Sequence, residues 1–235
     1  MDSFVVFAKE PEPGKVKTRM TPPFSPDEAV LLYTAFIGDV CATIASCASG
    51  GDRRVLSAPG RGGATLAAIA KEHGFEIVEQ IGADLGARMA KALGDEIAAG
   101  AGAVVLVGSD SPTLPADAVH EGVRRLHLNS KSTAVIGPAG DGGYWLIGAA
   151  GAVPDLFAGI AWSTRDVLSQ TLARAGAKKI DLTLLPFWYD VDDVADVKML
   201  DAHLGWSASQ GRSVAPRTAA ALGRIKAARG GIFPS

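Results

Sequence analysis

Short β-branched apolar runs alternate along the chain with longer segments whose apolar residues recur at helical spacing. Residues 3–8, 53–58, 75–80, 103–107 and 132–137 are predicted as strands, with 143–148 and 180–185 as further candidates. Val104 to Val107 are continuously apolar, as expected of a central strand buried on both faces. Helices are predicted at about 26–48, 63–73, 84–99, 115–127 and 164–175, and another that contains Val197 and Leu200. The first is the best marked. Ser25 and Glu28 form a capping box, Pro26 occupies the first helical position, and Ala29, Leu32, Tyr33, Phe36, Val40, Ile44 and Cys47 trace one apolar stripe. Those residues are read as core without chemistry. The alternation predicts an α/β fold: three layers, α/β/α, with a mostly parallel sheet between helices.

One domain is expected over 1–205, followed at 206–235 by a basic extension with a helix near 216–228 and a Gly-Gly tail. From Ala202 onward acids are absent, while Arg212, Arg217, Arg224, Lys226 and Arg229 are present. This segment is read first as a solvated appendage and second as an anion- or partner-binding arm.

Composition narrows the function classes. Apolar residues make up 48% of the chain, enough for a sizeable core. A net charge of −2 gives no field of the kind nucleic acid or anionic membranes require. No apolar run is expected to approach the roughly 20 residues that span a bilayer. The N-terminus enters a strand-like run with no basic leader, so a cytoplasmic location is expected. Cys41 and Cys47 share one predicted helix, too far apart along it for a disulfide. The histidines show no ligand spacing for zinc.

Four segments carry candidate chemistry. Lys9-Glu10-Pro11-Glu12-Pro13-Gly14-Lys15-Val16-Lys17-Thr18-Arg19 follows the first strand and offers backbone N–H groups and cations to a polyphosphate. It lacks the glycine spacing of a Walker A loop, which excludes a P-loop kinase. Gly108-Ser109-Asp110-Ser111-Pro112 sets Asp110 at the carboxyl end of a buried strand, where it can hold Mg²⁺ against phosphate oxygens. Pro112 stands where a hydrolase nucleophile elbow needs glycine. In the third segment, Gly137, Gly140, Gly142 and Gly143 permit close backbone approach, and Tyr144 and Trp145 either stack on a ligand or pack in the core. In the fourth, Asp190 and Asp192 face one way on an extended segment and repel unless a cation relieves them. Asp192 or Asp193 can also cap the following helix.

The series Phe7-Ala8-Lys9-x-Pro11-x-Pro13-Gly14-x-x-Lys17-Thr18-Arg19, Gly108-Ser109-Asp110-x-Pro112-x-Leu114, Gly137-Pro138-x-x-Asp141-Gly142-Gly143-Tyr144-x-Leu146-Ile147-Gly148, Trp162-Ser163-Thr164 and Asp190-Val191-Asp192 resembles the bacterial radical-SAM/selenodomain-associated transferase family. Its members are often labelled arsenosugar-biosynthesis glycosyltransferases. The resemblance spans roughly Ser3 to Leu204. It implies a Rossmann-like GT-A fold of the nucleotide-diphospho-sugar transferases, distantly similar to the guanylyltransferases for 2-phospho-lactate and molybdenum cofactor.

The resemblance also implies roles. Lys9, Gly14, Lys15, Lys17, Thr18 and Arg19 fall on the phosphate-holding first loop. Gln80, Gly82, Leu85, Gly86 and Arg88 look like base and ribose contacts. Asp110 matches the principal metal-binding aspartate, and Asp190 and Asp192 the second metal-ligating acids, for Mg²⁺ or Mn²⁺. Asp141, Gly142, Gly143, Tyr144, Trp162, Ser163 and Thr164 lie where an acceptor is expected. Gly82-Ala83-Asp84-Leu85 carries one residue more than the family pattern, and the basic extension lies outside it.

The expected partners are therefore a nucleotide or nucleotide-sugar and a small acceptor, without nucleic acid or membrane. The oligomeric state stays open, a homodimer among the options. The leading expectation is metal-dependent nucleotidyl transfer to a small phosphorylated acceptor, with Lys17, Arg19, Asp110 and Asp141 as catalytic candidates. Glycosyl transfer, with Asp141 deprotonating an acceptor hydroxyl, is the alternative. A non-catalytic nucleotide-binding scaffold is the rival from another class.

Overall fold

The computed structural model describes residues 1–128 and 133–231. The first residue of the strand predicted at 132–137 and the last four of the tail lie outside the described residues. Seven strands form one sheet: β1 (Ser3–Phe7), β2 (Arg53–Ala58), β3 (Glu76–Glu79), β4 (Val104–Gly108), β5 (Thr133–Pro138), β6 (Tyr144–Ala150) and β7 (Asp181–Leu184). Their order across the sheet is β3-β2-β1-β4-β6-β5-β7. Only β6 runs against its neighbours, because a short turn joins it to β5 as a hairpin.

The strand pleat divides the interior in two. Phe4, Val6, Val105 and Val107 pack on one face against α1 (Pro26–Cys47), α2 (Ala64–His73), α4 (Ala116–Leu128), α6 (Val194–Ser209) and α7 (Pro216–Arg229). Val5, Phe7, Val104 and Leu106 point the other way, against α3 (Leu85–Ala98) and α5 (Val167–Lys178). A central strand covered on both sides must be apolar throughout, which is why Val104 to Val107 show no alternation.

The capping box of Ser25 and Glu28 starts α1. One expectation is corrected here. Over Pro26–Cys47 the helix is long and apolar enough to cross a membrane, with a mean hydropathy of 1.7. Its alanines, glycine and threonines break up the run to the eye while keeping the average high. It is nonetheless the core helix, with Leu32, Phe36, Val40 and Ile44 buried against the sheet and flanking helices. Cys41 and Cys47 on it are buried free thiols.

α7 lies along α1 and is fastened there. The buried carboxylate of Asp39 accepts from the N–H groups of Arg217 (3.1 Å) and Thr218 (2.8 Å) at the start of α7. Along the same helix Arg217 pairs with Glu72, Lys226 with Asp201 (2.5 Å), and Arg229 with Glu28.

The chain order reverses at β1, which pairs with β2 on one side and β4 on the other. Ligands of open α/β sheets bind at such a reversal, beyond the carboxyl ends of the strands. The loops after β1, β3, β4 and β5 all leave from that edge, and antiparallel β6 begins there, Leu146 facing Val107. After β7 the chain returns to the same edge, where Trp188 bridges to Ala139 and the N–H of Val191 donates to the carbonyl of Asp110 (2.8 Å).

Candidate functional site

A cleft of about 990 Å³ opens along this edge. It is lined by Lys9, Lys15, Lys17, Thr18 and Arg19 from the loop after β1, and by Asp110 after β4. Gln80 and Arg88 line the β3–α3 side. Asp141, Gly143, Tyr144, Trp162, Ser163 and Thr164 form the opposite wall, and Asp190 and Asp192 complete it. Gly14, Gly82, Gly86 and Gly142 are the sequence candidates outside the lining. Gly14 sits at the loop tip with φ +75° in open space. Gly86 supports Trp162 from beneath, since a Cβ there would lie 2.3 Å from the indole. Gly142, at φ +89°, leaves no room for a side chain against the carbonyl of Arg165.

Lys17 organises the centre of the cleft. Its ammonium contacts Asp110 Oδ1 (2.5 Å) and donates to Asp192 Oδ1 (2.7 Å) and the carbonyl of Val191 (2.8 Å), with a side chain only 5% exposed. Tyr33 and Phe36 of α1 close over it, their ring centroids 5.5 and 5.8 Å from Nζ. Burial opposes the Lys17 charge, but Asp110 and Asp192 outweigh it and hold its pKa above the ordinary lysine value. Arg19 reaches the other oxygen of Asp192 (2.6 Å). Burial alone would raise the Asp192 pKa; Lys17 and Arg19 outweigh it and bring it below the ordinary value. Asp192 thus holds two cations of the first loop, while Asp193 caps α6 together with Asp196. Of the two roles weighed for this acidic run, capping falls on Asp193, while Asp192, a candidate metal ligand, is occupied by Lys17 and Arg19.

Asp190 is placed differently. Ser111 donates to its Oδ1 at 2.5 Å, and no cation pairs with it among the described residues. Burial pushes its carboxyl up to about 7, with Asp110, Asp141 and Asp192 adding to the effect against the Ser111 hydrogen bond. Among the described residues no three His, Cys, Asp or Glu side chains are grouped to ligate a metal unaided. Two carboxylates with substrate phosphates and water are nevertheless an ordinary Mg²⁺ set. Asp110 and Asp190, with unrelieved negative charge converging on Asp190, fit that set.

The two aromatics of the glycine-rich turn separate. Both border the cleft, but Trp145 is buried and donates to the carbonyl of Pro186 (3.2 Å), whereas Tyr144 is half-buried. Asp141 Oδ1 accepts from the N–H of Gly143 (2.8 Å), which fixes the turn. In the β3–α3 loop Asp84 caps α3 by accepting from Ala87 N (2.7 Å). The Gln80 amide donates to the Ser57 carbonyl (2.8 Å), and Arg88 Nε to the Gly82 carbonyl (3.2 Å).

Three contributors escaped the sequence reading. Tyr33, assigned to the apolar stripe, accepts from the N–H of Lys9 (3.1 Å) and shares a hydrogen bond with Ser109 (2.9 Å). Glu10 accepts from the N–H groups of Gly63, Thr65 and Leu66 and so anchors the basic loop to the start of α2. Arg165 lines the cleft on the same wall as Asp141 and Thr164. A hydroxyl on an otherwise apolar helix face was the only sequence signal for Tyr33. A second cavity of about 220 Å³ lies between β2, β3 and α3 and shares Gln80 and Arg88 with the cleft. Its inner charges, Arg53 and Glu96, neutralise each other at 2.9 Å, so the chemistry belongs to the larger cleft.

The fold and the convergence of these loops define the class: an α/β protein with the GT-A-like fold of the nucleotide-diphospho-sugar transferases. Residues 43–164 match the family described as "Uncharacterized protein conserved in bacteria (DUF2064)", and the chain belongs to that family. It is similar to a protein from Desulfovibrio desulfuricans G20, provisionally described as a nucleotide-diphospho-sugar transferase. The two share 33% identity and a TM-score of 0.81 over 97% of this chain and 96% of that one. In fold alone it is similar to CMP:2-keto-3-deoxy-manno-octonic acid synthetase complexed with CTP, at 9% identity and a TM-score of 0.57, covering 88% of this chain and 100% of that one. It is likewise similar to glucosyl-3-phosphoglycerate synthase from Mycobacterium tuberculosis in complex with Mn²⁺, UDP and glucosyl-3-phosphoglycerate. There the identity is 13% and the TM-score 0.51, over 90% and 80% of the two chains. No curated protein matches the chain.

Proposed function

We propose that this protein is a metal-dependent nucleotidyltransferase that moves a nucleotide from a nucleoside triphosphate to a small phosphorylated acceptor. The observation that carries this reading is Lys17, fixed between Asp110 and Asp192 where the chain order reverses between β1 and β4. In this reading Asp110 and Asp190 hold Mg²⁺ or Mn²⁺, which when bound neutralises and polarises the phosphate oxygens. Lys17 and Arg19 neutralise the remaining phosphate charge, and Lys9 and Lys15 extend the basic surface for the outer phosphates. An acceptor phosphate oxygen attacks the α-phosphorus in line. The bond from that phosphorus to the bridging oxygen breaks, and pyrophosphate leaves. The chain contributes position and charge more than covalent chemistry. Gln80 and Arg88 lie where the nucleoside would extend, and Tyr144, Trp162 and Thr164 where the acceptor would enter.

Glycosyl transfer is favoured by one observation, the Asp141 carboxylate set on the acceptor wall by its own turn. There it would take the proton of an acceptor hydroxyl while a nucleoside diphosphate departs. Product analysis separates the two. ATP, CTP, GTP and UTP with Mg²⁺, each offered a panel of sugar phosphates, are expected to release pyrophosphate with one base preferred. Release of nucleoside diphosphate from UDP- or GDP-sugars instead would replace this reading with glycosyl transfer. Nucleotide binding without either product would leave a scaffold.

A further inference from the structure

We infer that Arg165 receives an oxyanion on the second substrate, so that the acceptor is recognised through a phosphate or carboxylate group. This rests on the transferase reading of the cleft and names the chemistry of its acceptor. Four of the five cations on the nucleotide side are already engaged: Lys15 with Glu12, Lys17 with Asp110 and Asp192, Arg19 with Asp192, and Arg88 with the Gly82 carbonyl. The fifth, Lys9, has no side-chain partner among the described residues and lies on the first loop, on the side given to the nucleotide's phosphates. Arg165 stands on the other wall, and among the described residues its guanidinium has no ion-pair or hydrogen-bond partner.

The backbone beneath it is fixed. The Arg165 carbonyl lies where a Cβ of Gly142 would come within 2.1 Å, and the N–H of Leu168 donates to the Gly142 carbonyl (2.8 Å). The segment before it is held as well, with Thr164 Oγ1 donating to the Ala161 carbonyl (2.8 Å). The backbone of Arg165 is thus seated against Gly142, the neighbour of Asp141 in the turn that forms this wall. An open guanidinium there presents a planar fork of donors, which matches two oxygens of a phosphate or carboxylate. Arg165 is exposed on this wall, so its donors are open to an anion that enters the cleft.

The test uses the full chain with Mg²⁺ and glycerol 3-phosphate, glycerate and glycerol as probes, their binding followed by NMR titration. Wild type and the Arg165→Ala and Arg165→Lys variants are compared, and binding of ATP, CTP, GTP and UTP is measured on the same samples. Wild type should bind one or both anions and not glycerol. Arg165→Ala should weaken that binding by about tenfold or more, and Arg165→Lys should retain part of it as a charge without the fork. Nucleotide affinity should stay within about twofold across all three proteins, well under the effect of one charge-assisted hydrogen bond. Preference for glycerol 3-phosphate over glycerate would assign phosphate, and the reverse carboxylate. Intact nucleotide binding together with anion binding indifferent to Arg165, or with none, overturns this inference alone. Failure of wild type to bind any nucleotide overturns the transferase reading and the acceptor role with it.

Discussion

Lys17 has a left-handed backbone, φ 48° and ψ 38°, which a side chain with a Cβ adopts at a cost of about 1–2 kcal/mol. The strain is held by the contacts of the ammonium with Asp110, Asp192 and the Val191 carbonyl. Lys17→Ala removes them and leaves two carboxylates facing each other. Its stability in urea unfolding should fall by about 3 kcal/mol, the low end for a broken buried pair because Asp110 is 42% exposed. Nucleotide affinity should fall with it. Tyr33→Phe is a milder probe. The ring stays over Lys17, while the links to Lys9 and Ser109 are lost, at about 1 kcal/mol of stability. A residue pattern could mark Lys17 as a phosphate ligand because basic residues after a first strand have that use. It could not show that Asp192 is occupied by Lys17 and Arg19, since nothing local joins positions so far apart in the chain.

At the scale of elements, periodicity located the strands and helices because each buries one face or both. Their neighbours were less legible. That β6 would enter between β4 and β5 depends on a hairpin closing over the Ala139–Gly143 turn. That α7 would lie on α1 depends on partners distant in sequence, among them the buried carboxylate of Asp39, the Arg229–Glu28 pair and the core packing of Leu222 and Ile225. The basic loop is held by Glu10 capping α2, again from a distance. Glu10→Gln should destabilise the protein by about 1 kcal/mol, the usual worth of a lost cap. Burial opposes ionisation of Glu10, but the N–H groups of Thr65, Gly63 and Leu66 together outweigh it and lower its pKa. A lowered carboxylate pKa gives stability that is present above the unfolded value and lost as pH falls through the folded one. The difference between wild type and Glu10→Gln should therefore shrink on acidification below the ordinary glutamate range, read as converging melting temperatures.

Across the whole molecule, motifs scattered from Lys9 to Asp192 meet at one edge of the sheet because the loops after β1, β3, β4, β5 and β7 open there, while the segment after antiparallel β6 starts from the opposite edge and crosses back with Trp162, Ser163 and Thr164. The aspartates and the basic loop were legible as chemistry from residue type and position at strand ends. Their division of labour, with Asp192 holding cations and Asp190 left with its charge unrelieved, required the tertiary arrangement. The account stands on Asp110 and Asp190 drawing a divalent cation and a nucleotide into this cleft together. The most direct test is calorimetric titration of ATP, CTP, GTP and UTP, with and without Mn²⁺, into wild type and Asp110→Asn. Wild type should bind one of these nucleotides with an affinity that depends on the metal, and Asp110→Asn, still folded, should lose that dependence. Unchanged metal-dependent binding in Asp110→Asn would contradict it.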